Sequence, residues 1–266
     1  MSELGKLRVV TGYEFLKHIR RRRLYVILGL ALVTELAVLI LLPALQGGYP
    51  DNVMLMAAML TVGPSLAAIG AVFFAGDAIA GEFESKTGFM LFTNPVRRTT
   101  LVIGKYLASF IAITLLIAFT YIIIALSLLI IYHEVPIEIL TSFGLCLFFA
   151  SAVLSTTFFF SAVSKGAMGA TVMTLLFVWM LSGIIESVLA FTGNPYWFLI
   201  SAGGDSIALA YGSLDTFMSG FGMGGFEALM KNFEPLTIGM AAWGMAIYLV
   251  VGFVLSIWIS RRRQLA

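Results

Sequence analysis

Residues Leu115–Tyr132 read "LLIAFTYIIIALSLLIIY". The stretch holds no Asp, Glu, Lys, Arg or Pro. As a helix it rises about 27 Å at ~1.5 Å per residue, close to the ~30 Å hydrocarbon core of a bilayer. A membrane β-strand would alternate polar and apolar positions over a shorter segment, and no such alternation is present. The stretch therefore predicts a membrane-crossing helix, and the rest of the chain is read outward from it.

Similar runs recur. The chain has 266 residues, 60% hydrophobic and 11% charged, and its mean hydropathy is +1.01. A soluble domain of this length would need far more polar surface. The predicted class is an all-α polytopic membrane protein with six spans: Leu24–Leu42, Val53–Ala75, Leu101–Tyr132, Ile137–Val163, Ala167–Ala190 and Thr237–Ile259. They form a single transmembrane domain over residues 1–266. The third run is longer than a bilayer requires, so it is expected to tilt or to project into water. The first run exceeds the 7–15 residues of a signal-peptide core, so the N-terminal segment reads as an anchor and not a cleaved leader. Cys146 is the single cysteine and excludes an intrachain disulfide.

Charge sets the sidedness. Of the 16 Lys and Arg, only Lys231 falls opposite the others once six spans are drawn. The basic side carries the N-terminal segment with Arg20–Arg23, the connection with Lys86, Arg97, Arg98 and Lys105, the short link at Lys165, and the tail at Arg261–Arg263. The positive-inside rule makes that side cytoplasmic, with both termini there, in the plasma membrane of a cell. Asp51, Glu134, Glu138, Asp205, Asp215, Glu227 and Glu234 lie on the other side.

Residues 1–23 precede the first span. Val9, Tyr13 and Leu16 follow i, i+4, i+7 spacing, with Val10 beside them, which fits a helix lying at the membrane surface. A basic topology anchor is the plainer reading of the same residues. Residues 191–236 form the longest opposite-side loop, rich in glycine and aromatics. Short capping helices are expected there. A re-entrant run around Tyr196–Tyr211 is expected to be interrupted by Gly203, Gly204 and Asp205.

The loop over residues 77–100 contains "GEFESKTGFMLFTNPVRR", Gly81–Arg98. Its charges exclude it from the membrane, since each unpaired one costs ~2.5–3.5 kcal/mol at a span centre. It is not a phosphate loop. Aligning Lys86-Thr87 puts Ala80 and Ser85 where glycines are needed, and Glu82 and Glu84 would repel phosphate. What remains is a helix, a break at Thr87-Gly88, an apolar run with Phe89 and Phe92, and a restart at Pro95. Apolar residues exposed on such a loop need the membrane surface or a partner.

In order, Asp77, Ile79-Ala80-Gly81-Glu82, Glu84, Thr87-Gly88, Asn94-Pro95-Val96-Arg97-Arg98 and Gly104-Lys105 resemble the corresponding loop of prokaryotic ABC-2 type transporter permeases. The overall plan, a basic N-terminal helix, six spans, a long last outer loop and a basic tail, resembles that family too. Thr87-Gly88 reverses the family's usual Gly-Thr. The resemblance implies a permease subunit of an ATP-binding-cassette transporter, with residues 77–100 as the coupling loop. It implies export as the direction, and that Glu82, Phe83, Glu84, Thr87, Gly88, Phe89, Phe92, Pro95, Arg97 and Arg98 meet a separate ATPase subunit. ATP and Mg would sit on that subunit, with no cofactor on this chain. The implied partners are the ATPase, a second permease copy as homo- or heterodimer, and the bilayer, with no nucleic acid. The bland alternative for Glu82, Glu84, Arg97 and Arg98 is solvated charge.

Glu35 and Glu186 lie within spans and are candidates for the translocation path or for cation binding; protonated packing residues are the alternative. They also carry the competing function, an ion-coupled secondary transporter. Ala67, Ala71 and Ala75 form a small-residue ridge suited to helix packing. The dispersed methionines suggest no metal site. No zinc-protease or serine-hydrolase motif is present, and the only histidines, His18 and His133, fall on opposite sides. An enzyme is not expected, and no residue selects a substrate.

Overall fold

The computed structural model describes residues 2–20, 22–84, 97–212 and 236–262, leaving aside the side chains of Gln46, Ala67 and Phe83. All regular structure among them is helical. Six helices are long and apolar enough to cross a membrane: Arg22–Leu45, Val53–Glu82, Arg98–Tyr132, Glu138–Val163, Ala167–Phe191 and Ile238–Arg262.

The chain opens with α1, Glu3–Arg20, and α2, Arg22–Gln46, is the first span. The second span is broken. Helix α3 runs Val53–Leu60 and α4 runs Val62–Ala75, with Thr61 between them. Asn52 caps α3 by accepting from the Met54 N–H at 2.9 Å. The break has a sequence cause: Pro64 lacks an N–H and is tolerated in a first helical turn, where α4 places it. The span then bends through residues 76–79 into a short α5, Ala80–Glu84.

Helix α6, Arg98–Tyr132, has 35 residues, about 52 Å at 1.5 Å per residue, so one end projects beyond a hydrocarbon core. It stops at His133, which takes the left-handed conformation at φ 58°. Helix α7, Glu138–Val163, packs against α4, α6 and most later helices. The fifth span comprises α8, Ala167–Leu175, a π-helical turn Leu176–Leu181, and α9, Ser182–Phe191. Then come α10, Ile200–Leu209, and the sixth span α11, Ile238–Arg262.

Helix α7 is the pillar because its contact positions are small. Ala150, Ala152, Ser155, Thr157, Ser161 and Ala162 are fully buried. Thr156 and Thr157 donate to carbonyls of their own helix, at 2.9 and 2.7 Å, so their hydroxyls cost little in an apolar core. Gly252 of α11 comes so near that an added Cβ would lie 2.9 Å from the Ser155 carbonyl carbon. Ala71 and Ala75 of the small-residue ridge are buried within the chain. The first, fifth and sixth spans bury only 17% of their apolar windows, against 67% for the fourth. Their outward faces, including Leu30, Val33, Trp243 and Val254, suit lipid and not water.

One expectation is corrected. Gly203, Gly204 and Asp205 do not interrupt the re-entrant run; α10 passes straight through them. Gly203 serves close packing instead. An added Cβ at Gly203 would stand 2.7 Å from Met245 Cγ and 3.1 Å from the Phe149 ring.

Candidate functional site

Two of the charges expected to face a partner, Glu82 and Glu84, are held by their own chain. At the basic end, α1 lies along the start of α6. Gly104 permits the approach, since a Cβ there would meet Val10 Cγ1 at 2.7 Å. The next residue, Lys105, is only 3% exposed. Its ammonium lies 3.1 Å from Glu14 Oε1 and forms a second ion pair with Glu82 Oε1. A buried ammonium is tolerated only when so compensated.

Glu14 also pairs with Lys17 at 3.2 Å. Burial works against its carboxylate, but Lys105 and Lys17 outweigh that and hold Glu14 below the usual carboxylate range. Further along, the His18 ring nitrogen Nε2 lies 3.1 Å from Ser109 Oγ, beside the Phe74 ring. Thr100 donates to Glu3 at 3.3 Å. The polar side of α1 therefore faces α6. Val9, Tyr13 and Leu16, its apolar stripe, are exposed.

Helix α5 is fixed from two directions. The backbone N–H groups of Ile79 and Ala80 both donate to Ser161 Oγ, at 3.1 and 3.0 Å, and that hydroxyl donates to the Gly76 carbonyl at 2.9 Å. Glu84 accepts from the Ala167 N–H at 2.8 Å, placing a carboxylate at the N-terminus of α8, where the helix dipole favours it. Arg23 at the start of α2 pairs with Asp77 at 3.3 Å. Five membrane spans thus meet at this end. Between α1, α5 and α6 lies a cavity of about 740 Å³, lined by Tyr13, Glu14, Lys17, Glu82 and Lys105 among others.

Of the sequence-predicted coupling residues, Glu82 and Glu84 sit in this junction. Arg97 is extended and exposed just before α6, and Arg98 is its first, half-buried residue. Thr87, Gly88, Phe89, Phe92 and Pro95 lie outside the described residues, as does the Phe83 side chain. Sequence reasoning missed Lys105 and Glu14 as a pair. The available signal was a lone Lys after Gly104 at the head of a long apolar run, which needs a nearby carboxylate once buried.

The two intramembrane acids are apart. Glu35, 1% exposed, lies in the middle of α2 against Gly63 of α4. Glu186 on α9 is half-buried and faces Asp205 on α10. The surrounding protein, then the hydrogen bond and charge of Glu186, push Asp205 up to about 8. Asp205 was placed at the outer side by the sequence but not joined to Glu186. Among the described residues, no group of three or more His, Cys, Asp or Glu side chains is arranged to hold a metal ion.

Among the described residues, the junction is built of linked charges and helix ends. It is suited to transmitting a displacement. The family model described as ABC-2 family transporter protein matches residues 12–182, a range that includes Glu14, Glu35, Glu82, Glu84 and Lys105. No curated protein matches the chain.

Proposed function

Since this chain belongs to the ABC-2 transporter family, we propose that it is the membrane subunit of an ATP-driven exporter, paired with a second permease copy and with separate ATP-binding subunits. One observation carries the reading. Lys105 ties α1, α5 and α6 together through ion pairs with Glu14 and Glu82, and α5 and α6 flank residues 85–96 in the sequence. A force applied to that segment reaches the third span through Lys105 and the fifth through the Glu84 cap.

The basic end is then the cytoplasmic face, where the ATPase docks. Phe83, Phe89 and Phe92 fill a groove on that subunit, and Arg97 and Arg98 set the register by charge. The exposed Val9, Tyr13 and Leu16 stripe lies in the lipid headgroup layer. ATP-driven closure of the ATPases shifts the population of two membrane conformations. ATP and Mg are bound by the partner.

The test is co-purification and transport. The chain, co-expressed with its ATP-binding subunit, should purify with it in stoichiometric amount and should move cargo in vesicles only with ATP. Phe89→Asp with Phe92→Asp should still insert into membranes but lose the ATPase. Transport that persists without ATP and collapses in Glu35→Gln would instead establish an ion-coupled carrier.

A further inference from the structure

Ile27, Ala31 and Glu35 occupy successive turns of one face of α2, and all three are buried. Two glycines of α4 receive that face. A Cβ at Gly70 would come within 3.2 Å of Ile27, and one at Gly63 within 2.5 Å of Glu35 Cγ and Oε1. Glu35 is thus packed where an apolar residue would be expected, directly over a bare stretch of backbone. It lies 13 residues from Arg22, about 20 Å along the helix, which is deep in a ~30 Å core.

Both Glu35 carboxyl oxygens are buried, and neither has a hydrogen-bond partner among the described residues. Among the described residues, none forms an ion pair with them. Helices α3 and α4 contain no titratable side chain. Those of α6 lie elsewhere: Arg98 is its first residue, at the basic end, Lys105 pairs with Glu14 and Glu82, Tyr106 with Ser155, Tyr121 with Ser142, and Tyr132 with the Pro50 carbonyl. Helix α7 brings Cys146, which donates to the Pro64 carbonyl. Glu3, Lys6, Glu14 and Lys17 of α1 are paired at the basic end.

A carboxylate buried without a cation or a protein donor is not sustained in such surroundings, whereas the neutral acid is. We propose that Glu35 is a buried proton-binding site, loaded while α2 and α4 are packed at Gly63 and discharged when that contact opens to water. The ligand is a proton, and the latch is the Glu35–Gly63 contact. Any movement that separates the first two spans then changes the number of protons bound.

The inference needs neither nucleotide nor partner, so its test is independent of the ATP-driven reading. Dicyclohexylcarbodiimide reacts with protonated carboxyls in apolar surroundings. The acid O–H adds across one C=N bond: the oxygen bonds to carbon and the proton goes to nitrogen, with nothing released. The full chain in native membranes would be treated at mildly alkaline pH and mapped by mass spectrometry. Glu35 should be labelled, and water-exposed Glu134 should not. Glu35→Gln should remove that adduct and nothing else. Gly63→Ala, which displaces the carboxyl, should abolish labelling at alkaline pH and retain it at mildly acidic pH. Absence of a Glu35 adduct in the wild-type chain at alkaline pH, or equal labelling in Gly63→Ala, would overturn the proposal.

Discussion

Glu84 accepts the Ala167 backbone N–H at 2.8 Å, so a side chain on α5 caps a helix that begins 83 residues later in the chain. The bond joins the end of the second span to the start of the fifth. Glu84→Ala should cost a few tenths to ~1 kcal/mol, the usual worth of a carboxylate at a helix N-terminus. A drop in thermal midpoint, with faster hydrogen exchange confined to the first turn of α8, is the expected result. Glu84→Gln should lose part of the same increment, because its oxygen still accepts but carries no charge.

Lys105 should be far more costly to remove. Lys105→Met keeps the volume but leaves the Glu14 and Glu82 carboxylates facing each other without their shared cation. Breaking a buried ion pair this way costs roughly 3–5 kcal/mol. The triple variant with Glu14→Gln and Glu82→Gln should recover most of that loss, since the three sites act as one network. Thermal inactivation of the purified protein measures both. Additive losses across the three substitutions would show that the junction is not a network.

Acidification should release α1. Lys105 and Lys17 hold Glu14 below its ordinary value despite its burial. A folded-state value lower than the unfolded one means that Glu14's contribution is complete above the ordinary carboxylate range. It is lost as pH falls through the lowered value. Protease cleavage within residues 3–20 should therefore rise at strongly acidic pH. In Glu14→Gln the protection should be weaker at neutral pH, with a smaller acid step.

The six spans were legible because burial in lipid demands long apolar runs, and nothing in water imitates "LLIAFTYIIIALSLLIIY". The family resemblance was legible for a related reason: the loop between the second and third spans concentrates charge where little else does. The internal pairing was not. Lys105 and Glu14 lie 91 positions apart in the chain, and only the close approach at Gly104 brings them together. The same holds for Gly203. Glycine marks a break as readily as a close contact, and the choice depends on Phe149 and Met245, which approach from other helices.

The outer end should respond to pH in the opposite sense to Glu14. Burial in the surrounding protein and Glu186 raise Asp205 from the ordinary Asp range to about 8. A raised folded-state value means that the native form holds the proton more tightly. The contribution of the Asp205–Glu186 contact is therefore fully present below the ordinary Asp range, falls as pH rises, and is exhausted above about 8. Hydrogen-exchange protection in α10, taken relative to the intrinsic exchange rate at each pH, should fall across that window and then level off. Asp205→Asn, neutral at every pH and still able to hydrogen-bond, should flatten most of the response. An unchanged pH profile in that variant would mean that the α9–α10 contact is held by packing against Phe149 and Met245 alone.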